Sequence, residues 1–221
     1  ACACYLGKRQ GYGREPFQPY NLGWTMLGAS LLWVGWFGFN GGSALAADGR
    51  AALAFMVTHL AAAGGALGWA AGEWLFRRRC SLLGLCSGLV AGLVAVTPAA
   101  GFVSMGSGLL IGVIAGLVCY WGATGLKRWL GADDALDVFG VHGLGGIVGS
   151  ILTGIFVSST ISGAQGNLIV QSVAVVSVAG FSFAMTCLLM WLTDRLVTVR
   201  VDAEEEQEGL DISQHREHLG H

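Results

Sequence analysis

Six apolar runs, near residues 22–47, 51–76, 81–100, 105–126, 137–157 and 168–193, divide this sequence, and charge is almost confined to the stretches between them. Each run is about 20 residues or longer, enough to cross a hydrocarbon core of about 30 Å as a helix. In lipid every backbone N–H and C=O must be satisfied internally, so a spanning segment is either such a helix or a strand of a closed barrel. The short alternating strands of a barrel are missing. None of the runs has the form of a cleavable signal peptide. Composition agrees: 54% of residues are apolar, 12% are charged, and the mean hydropathy is +0.63. That balance leaves a soluble domain too little polar surface. The expected fold is all-α, a polytopic transmembrane helix bundle of six spans over residues 1–200, followed by an acidic tail over 201–221.

The basic residues orient these spans, because cytoplasmic loops carry the excess of Lys and Arg. Lys8, Arg9 and Arg14 precede the first span, Arg77, Arg78 and Arg79 follow the second, Lys127 and Arg128 the fourth, and Arg195, Arg200 and Arg216 the sixth. Six spans put all eleven on one side and leave only Arg50 opposite. Losing one span would scramble that bias, so it supports the count independently of hydropathy. Both termini of the chain are therefore expected to be cytoplasmic.

The net charge of −2 says little, since acids concentrate at the end: Asp202, Glu204, Glu205, Glu206, Glu208, Asp211 and Glu217. This reads as a soluble tail, either simply solvated or docking a partner. Its histidines, His215, His218 and His221, have no further ligands around them, so no metal site is expected. Cys2, Cys4, Cys80, Cys86, Cys119 and Cys187 lack metal-ligand spacing. They read as small packing thiols, with no disulfide expected. Glycine is abundant, at 36 residues, and recurs every four positions: Gly84, Gly88 and Gly92, then Gly108, Gly112 and Gly116, then Gly146, Ser150 and Gly154. Small residues on one stripe let helices approach closely in lipid.

Two constellations carry chemistry. His142 lies in an apolar, glycine-spaced run that opens at Asp137, and an ionisable ring at membrane depth is a functional hypothesis by default. Imidazole donates and accepts hydrogen bonds and exchanges a proton near neutrality. It equally well bonds a neighbouring helix, and the residues alone leave both uses open. Asp137 reads most simply as a helix N-cap. His59 lacks a surrounding motif and reads as structural. Near the outer end of the first span, Trp36, Phe39, Asn40 and Ser43 recur at helical spacing. They gather aromatic faces, which attract cations, and a hydroxyl, which accepts from an N–H donor. The alternative is an interfacial aromatic belt, the reading given to Trp24, Trp33, Trp69 and Trp74 together with packing.

At these motifs the chain resembles the ammonium transporter family, related to the Rhesus glycoproteins. Gly35-Trp-Phe-Gly-Phe-Asn-Gly-Gly-Ser43 is similar to the family's recruitment-site helix. Asp137-Val-Phe-Gly-Val-His142-Gly is similar to the helix that carries the second of its twin pore histidines. Further matches are Gly72-Glu-Trp74, Ser81-Leu-Leu-Gly84, Gly92-Leu-Val, Thr97-Pro98 and Glu208-Gly-Leu-Asp211. The resemblance implies an inverted repeat of five plus five spans with a last long helix, in a trimer whose subunits each have a pore. This chain would be the second repeat and the last helix, without the first five spans and their histidine. Its opening Ala-Cys-Ala-Cys, without Met, fits the expectation of a fragment.

The resemblance also implies roles. Phe39 would be the inner aromatic gate, Ser43 the hydroxyl that accepts a hydrogen bond from ammonium, and Trp36 and Asn40 supports of that helix. His142 would hydrogen-bond ammonia in a narrow apolar pore and relay a proton. K⁺ can neither donate a hydrogen bond nor lose a proton, whereas NH₄⁺ does both. Neutral NH₃ crossing beside a separately relayed proton avoids the cost of a desolvated cation. The implied chain is a transporter and no enzyme, needs no cofactor or metal, and does not bind nucleic acid. Its implied partners are ammonium, lipid, two further copies and a P-II type signalling protein at the tail, where His215 is followed by Arg216 instead of the family's usual Gly. The implied location is the plasma membrane, as in a bacterial inner membrane. An ammonium sensor, a Rhesus-like gas channel and a non-conducting fragment are the alternatives.

Overall fold

A computed structural model describes residues 1–15 and 17–217, and it is all-helical among them. Five helices are long and apolar enough to cross a membrane: α1 (Leu22–Gly42), α2 (Gly49–Arg77), α4 (Met105–Leu130), α5 (Phe139–Phe156) and α6 (Leu168–Leu196). Between α2 and α4 lies the shorter apolar helix α3 (Leu82–Val96). The helices start where short polar side chains satisfy their first N–H groups. Asn21 accepts from Trp24 N–H, Asp48 from Arg50 and Ala51, Ser81 from Gly84, and Ser104 from Ser107.

Three boundaries depart from the sequence reading. The first span ends at Gly42, not near 47. The third is 15 residues of helix, about 22 Å, because Pro98 supplies no N–H and residues 97–102 turn instead. Thr97 marks that stop by bonding Leu93 O through its hydroxyl at 2.8 Å. The fourth runs on to Leu130 through a π-turn at Gly122–Leu126, carrying Lys127 and Arg128 within the helix.

The chain forms two compact units. The larger, Pro19–Leu130 with Asp134–Ser177, is organised around α2, which packs against both α3 and α4. The approach is backbone to backbone. A Cβ on Gly92 or Gly112 would overlap the Ala61 carbonyl, and one on Gly116 would lie 2.7 Å from Trp69 N. The stripes expected on α3 and α4 are therefore contact surfaces, and α2 answers with Gly64, Gly65 and Gly68, which meet main chain of α3 and α4. On α5 the register differs by one residue. Gly145 and Gly149 meet Ala91 and Ala95 of α3, while Gly146 faces open space. Two four-residue stripes run side by side on a glycine-rich helix, and only packing selects between them. Ala54, Val57, Ala61, Ala95, Val96, Val103, Ile111 and Ala115 fill the core of this unit. The small-thiol reading holds for Cys86 and Cys119, which are buried, but Cys2, Cys4 and Cys80 are exposed.

The smaller unit comprises Ala1–Gln18, Gly131–Asp133 and Val178–His221. Arg200 donates to Leu6 O at 2.7 Å, Lys8 O at 2.8 Å and the Glu206 carboxylate at 2.9 Å. Gln10 adds its N–H to Glu206 at 2.9 Å and its side-chain amide to Ala203 O at 2.9 Å. Arg9 pairs with Asp133 at 2.7 Å. The segment after residue 200 is thus tied to residues 6–10, and Asp202 caps its helix Ala203–Glu208. The Gln10 N–H and the Arg200 guanidinium hold the Glu206 carboxyl below its ordinary value of 4.5. A carboxyl depressed by folding contributes stability above the unfolded value and loses it as pH falls through the folded one. Hydrogen exchange at Gln10 and Glu206 is therefore expected to be slow at neutral pH and to lose its protection on acidification. Protection that is indifferent to that acidification would show that the tail is held by other contacts.

Candidate functional site

The expected recruitment residues form one cluster along the last two turns of α1, each held differently. The Trp36 indole N–H donates to Thr97 Oγ1 at 2.8 Å, tying α1 to the end of α3. Its ring meets that of Phe39 edge-on, with centroids 5.8 Å apart. Asn40 is buried, 6% exposed, and its amide donates to Thr58 Oγ1 at 2.9 Å; the Thr58 hydroxyl in turn donates a hydrogen bond to Ala54 O at 2.6 Å. Trp36 and Asn40 are thus anchors, on opposite neighbours, for the helix face between them. Phe39 is 62% exposed on that helix. Ser43 is exposed and donates its hydroxyl proton to Phe39 O at 2.7 Å. With the proton committed to the backbone, its oxygen keeps lone pairs with which it can accept.

His142 stands exposed in a second π-turn, Phe139–Gly143, at the start of α5. Such turns concentrate at functional positions because the extra residue re-aims side chains. This one nests against the π-turn of α4: a Cβ on Gly140 would lie 2.8 Å from Ala123 N, and Cys119 Sγ donates to Val141 O at 3.6 Å. Asp137 is not the cap expected of it. Its backbone takes the left-handed conformation at φ 54°, and its carboxylate pairs with Lys127 Nζ at 2.6 Å. The capping bond comes instead from Asp134, which accepts the Phe139 N–H at 2.8 Å. An aspartate before a helix is a cap only if its backbone is extended, and in 134–137 the chain turns once more before the helix begins.

The two groups share α3 as a ruler. α5 runs alongside it, Gly145 near Ala91 and Gly149 against Ala95, so His142, which precedes both on α5, lies towards the start of α3. Thr97, the partner of Trp36, stands at the far end of α3. The acceptor cluster and the imidazole thus sit at two depths of the larger unit. His59 belongs to neither. It stacks on Trp33 at 5.2 Å and lies against Phe37 at 6.0 Å, a packing environment.

Several participants were not legible in the sequence. Thr58 and Thr97 become polar anchors only through neighbouring helices, and Lys127 meets Asp137 across a loop. Glu73 did carry a signal, as an acid inside an apolar run. It is 4% exposed and accepts the N–H and hydroxyl of Ser81 at 2.7 and 2.8 Å, bracing the start of α3. It also borders a cavity of about 180 Å³ with Trp69, Arg77, Ser87, Tyr120 and Asp137. Among the described residues no cluster of three or more His, Cys, Asp or Glu suits a metal. His218 and His221 lie outside the described residues.

Comparison with known proteins places this arrangement. The ammonium transporter of Bacillus subtilis (strain 168) is 45% identical over 97% of this chain and 55% of its own length. Ammonium transporter Amt1 of Archaeoglobus fulgidus is 41% identical over 98% of this chain and 57% of its own. Among solved structures, the crystal structure of Saccharomyces cerevisiae Mep2 superposes with a TM-score of 0.79 at 37% identity, over 92% of this chain and 50% of Mep2. A protein described as a sensor Amt protein superposes at 0.86 with 27% identity, over 96% and 55%. The chain spans about half the length of the relatives it matches, consistent with a C-terminal half. The Ammonium Transporter Family model matches residues 1–219, and with α-helical spans in the matching order this integral membrane chain belongs to the ammonium transporter family.

Proposed function

We propose that this chain forms one wall of an ammonium pathway, the second repeat and last helix of a transporter subunit. The observation that carries the reading is the exposed imidazole of His142 within an apolar helix long enough to cross a membrane, in the same chain as the exposed Phe39 and Ser43 of the expected mouth. Ammonium would be held at the mouth by Ser43 and the Phe39 face. After its proton passes to a relay of which the His142 imidazole would be one member, NH₃ would descend past that ring, which accepts a hydrogen bond from it or donates one to it. The cost avoided is that of a bare cation in hydrocarbon. The relatives are transporters and not enzymes, and this mechanism makes no covalent bond to the substrate.

A pore between inverted repeats needs both walls. The open side of His142 and the exposed apolar faces of α1 and α6 fit that requirement, with lipid and two further copies covering the remainder in a trimer. The basic ends of α2 and α4 support a topology in which both termini of this chain would lie on the cytoplasmic side of a plasma membrane, as in a bacterial inner membrane. Residues 201–221 would there form the tail that meets a P-II type regulator. A sensor is the second reading, favoured by the fold shared with the sensor Amt protein and by a tail tied to residues 6–10.

Methylammonium uptake into sealed vesicles tests the proposal. This chain joined to the first half of the Bacillus subtilis relative is expected to take up methylammonium, and the chain alone is expected not to. Conduction by the chain alone would refute the two-wall pore. Ligand-dependent partner binding without uptake would favour the sensor.

A further inference from the structure

We infer that Lys127 is a positioning residue for His142. The imidazole's direction is set by a π-turn, in which one extra residue rotates everything before it by about 100° relative to a continuous α-helix. Such a turn is a poor hydrogen-bonding arrangement by itself and persists only where its surroundings hold it. Here the hold converges on one ammonium group. Lys127 Nζ donates to the Asp137 carboxylate at 2.6 Å and to Asp134 O at 2.9 Å, gripping both ends of the four-residue loop that feeds the turn. Asp137 sits in the left-handed region at φ 54°, a conformation a non-glycine residue keeps only when its partners over-determine it. Its carbonyl accepts the Val141 N–H at 2.8 Å, and the Asp134 carboxylate accepts that of Phe139, also at 2.8 Å. The links from the Lys127 ammonium to the loop and from the loop to the turn thus fix the backbone from which the imidazole projects.

The other half of the grip comes from the helix that bears Lys127. Its own π-turn ends where Lys127 begins, and Gly122 and Ala123 in that turn touch Gly140 main chain. The two π-turns are in contact through glycine, which fixes their spacing, and the lysine fixes their rotation. Both partners of the ion pair are half-buried, with side-chain exposures of 26% and 29%. A pair so placed adds little net stability but selects one geometry, because breaking it leaves a poorly solvated charge behind. Neither residue has a hydrogen bond or ion pair to His142, so the effect of Lys127 is on aim.

The inference about geometry is independent of transport, while its meaning for flux rests on the role proposed for His142. The experiment is NMR of the full chain in lipid nanodiscs with ring-labelled histidine. His59 and His142 are assigned from His59→Gln and His142→Gln variants. In Lys127→Met the His142 ring signals are expected to move beyond their linewidth or to split, with His59 unchanged and Lys127→Arg restoring the original signals. Asp137→Asn, a gentler change, is expected to shift His142 in the same direction and to add nothing on top of Lys127→Met. An unmoved His142 in Lys127→Met, additive shifts in the double variant, or equal disturbance of His59 would overturn the assignment. If Lys127→Met does not fold, Asp137→Asn decides alone by the same comparison. A His142 shift with unchanged methylammonium uptake in the joined protein would uphold the positioning role and sink the transport role of His142.

Discussion

In the joined, two-walled protein, His142→Ala is expected to lower methylammonium uptake by about 10- to 100-fold and to weaken exclusion of K⁺. The size follows from one hydrogen bond to a substrate already stripped of water. Leaving such a group unpaired costs about 1–3 kcal/mol, and each 1.4 kcal/mol is a factor of ten. Discrimination falls with flux because an apolar wall has lost the group that distinguishes an N–H donor from a spherical cation. Ser43→Ala, which removes an acceptor at the mouth, is expected to raise the concentration needed for half-maximal uptake more than it lowers the maximal rate. Uptake and K⁺ exclusion both unchanged by His142→Ala would make the imidazole a packing group.

The largest structural effect is expected at Gly112. Its absent side chain is where α4 lies against α2, and a Cβ there would sit 2.8 Å from both the Cα and the carbonyl carbon of Ala61 while overlapping the oxygen. Main chain cannot swing aside as a flexible side chain does, so Gly112→Leu must force the helices apart. Separation also undoes the neighbouring contacts, where Gly108 faces Val57 Cγ1 and Gly116 faces Trp69 N. Overpacking of ordinary cores costs about 1–3 kcal/mol. Here several close contacts fail together, against a total stability of about 5–15 kcal/mol for a typical domain. Gly112→Leu should therefore abolish the monodisperse peak in detergent size-exclusion chromatography. Gly146→Ala is the control, since nothing lies within 4 Å of its added carbon and alanine favours helix by up to about 1 kcal/mol. A Gly112→Leu protein as stable as the parent would refute the close-packed interface.

Hydropathy and charge asymmetry were sufficient to predict an all-α membrane bundle with its six apolar helices in order, because lipid forbids unsatisfied backbone and charge avoids hydrocarbon. The length of α3 was overestimated because hydropathy continues through the turn at 97–102, where the helix does not. The motifs around Phe39 and His142 were visible as chemistry out of place in apolar runs. Only the tertiary structure decided which glycine stripe of α5 faces α3, since neighbouring stripes have the same spacing and differ only in what packs on them. It also turned Asp137 from a cap into the partner of Lys127, and Thr58 and Thr97 into anchors for Asn40 and Trp36. Those partners lie on other elements, and linear spacing reports which residues share a helix face but not which side chains meet across the bundle.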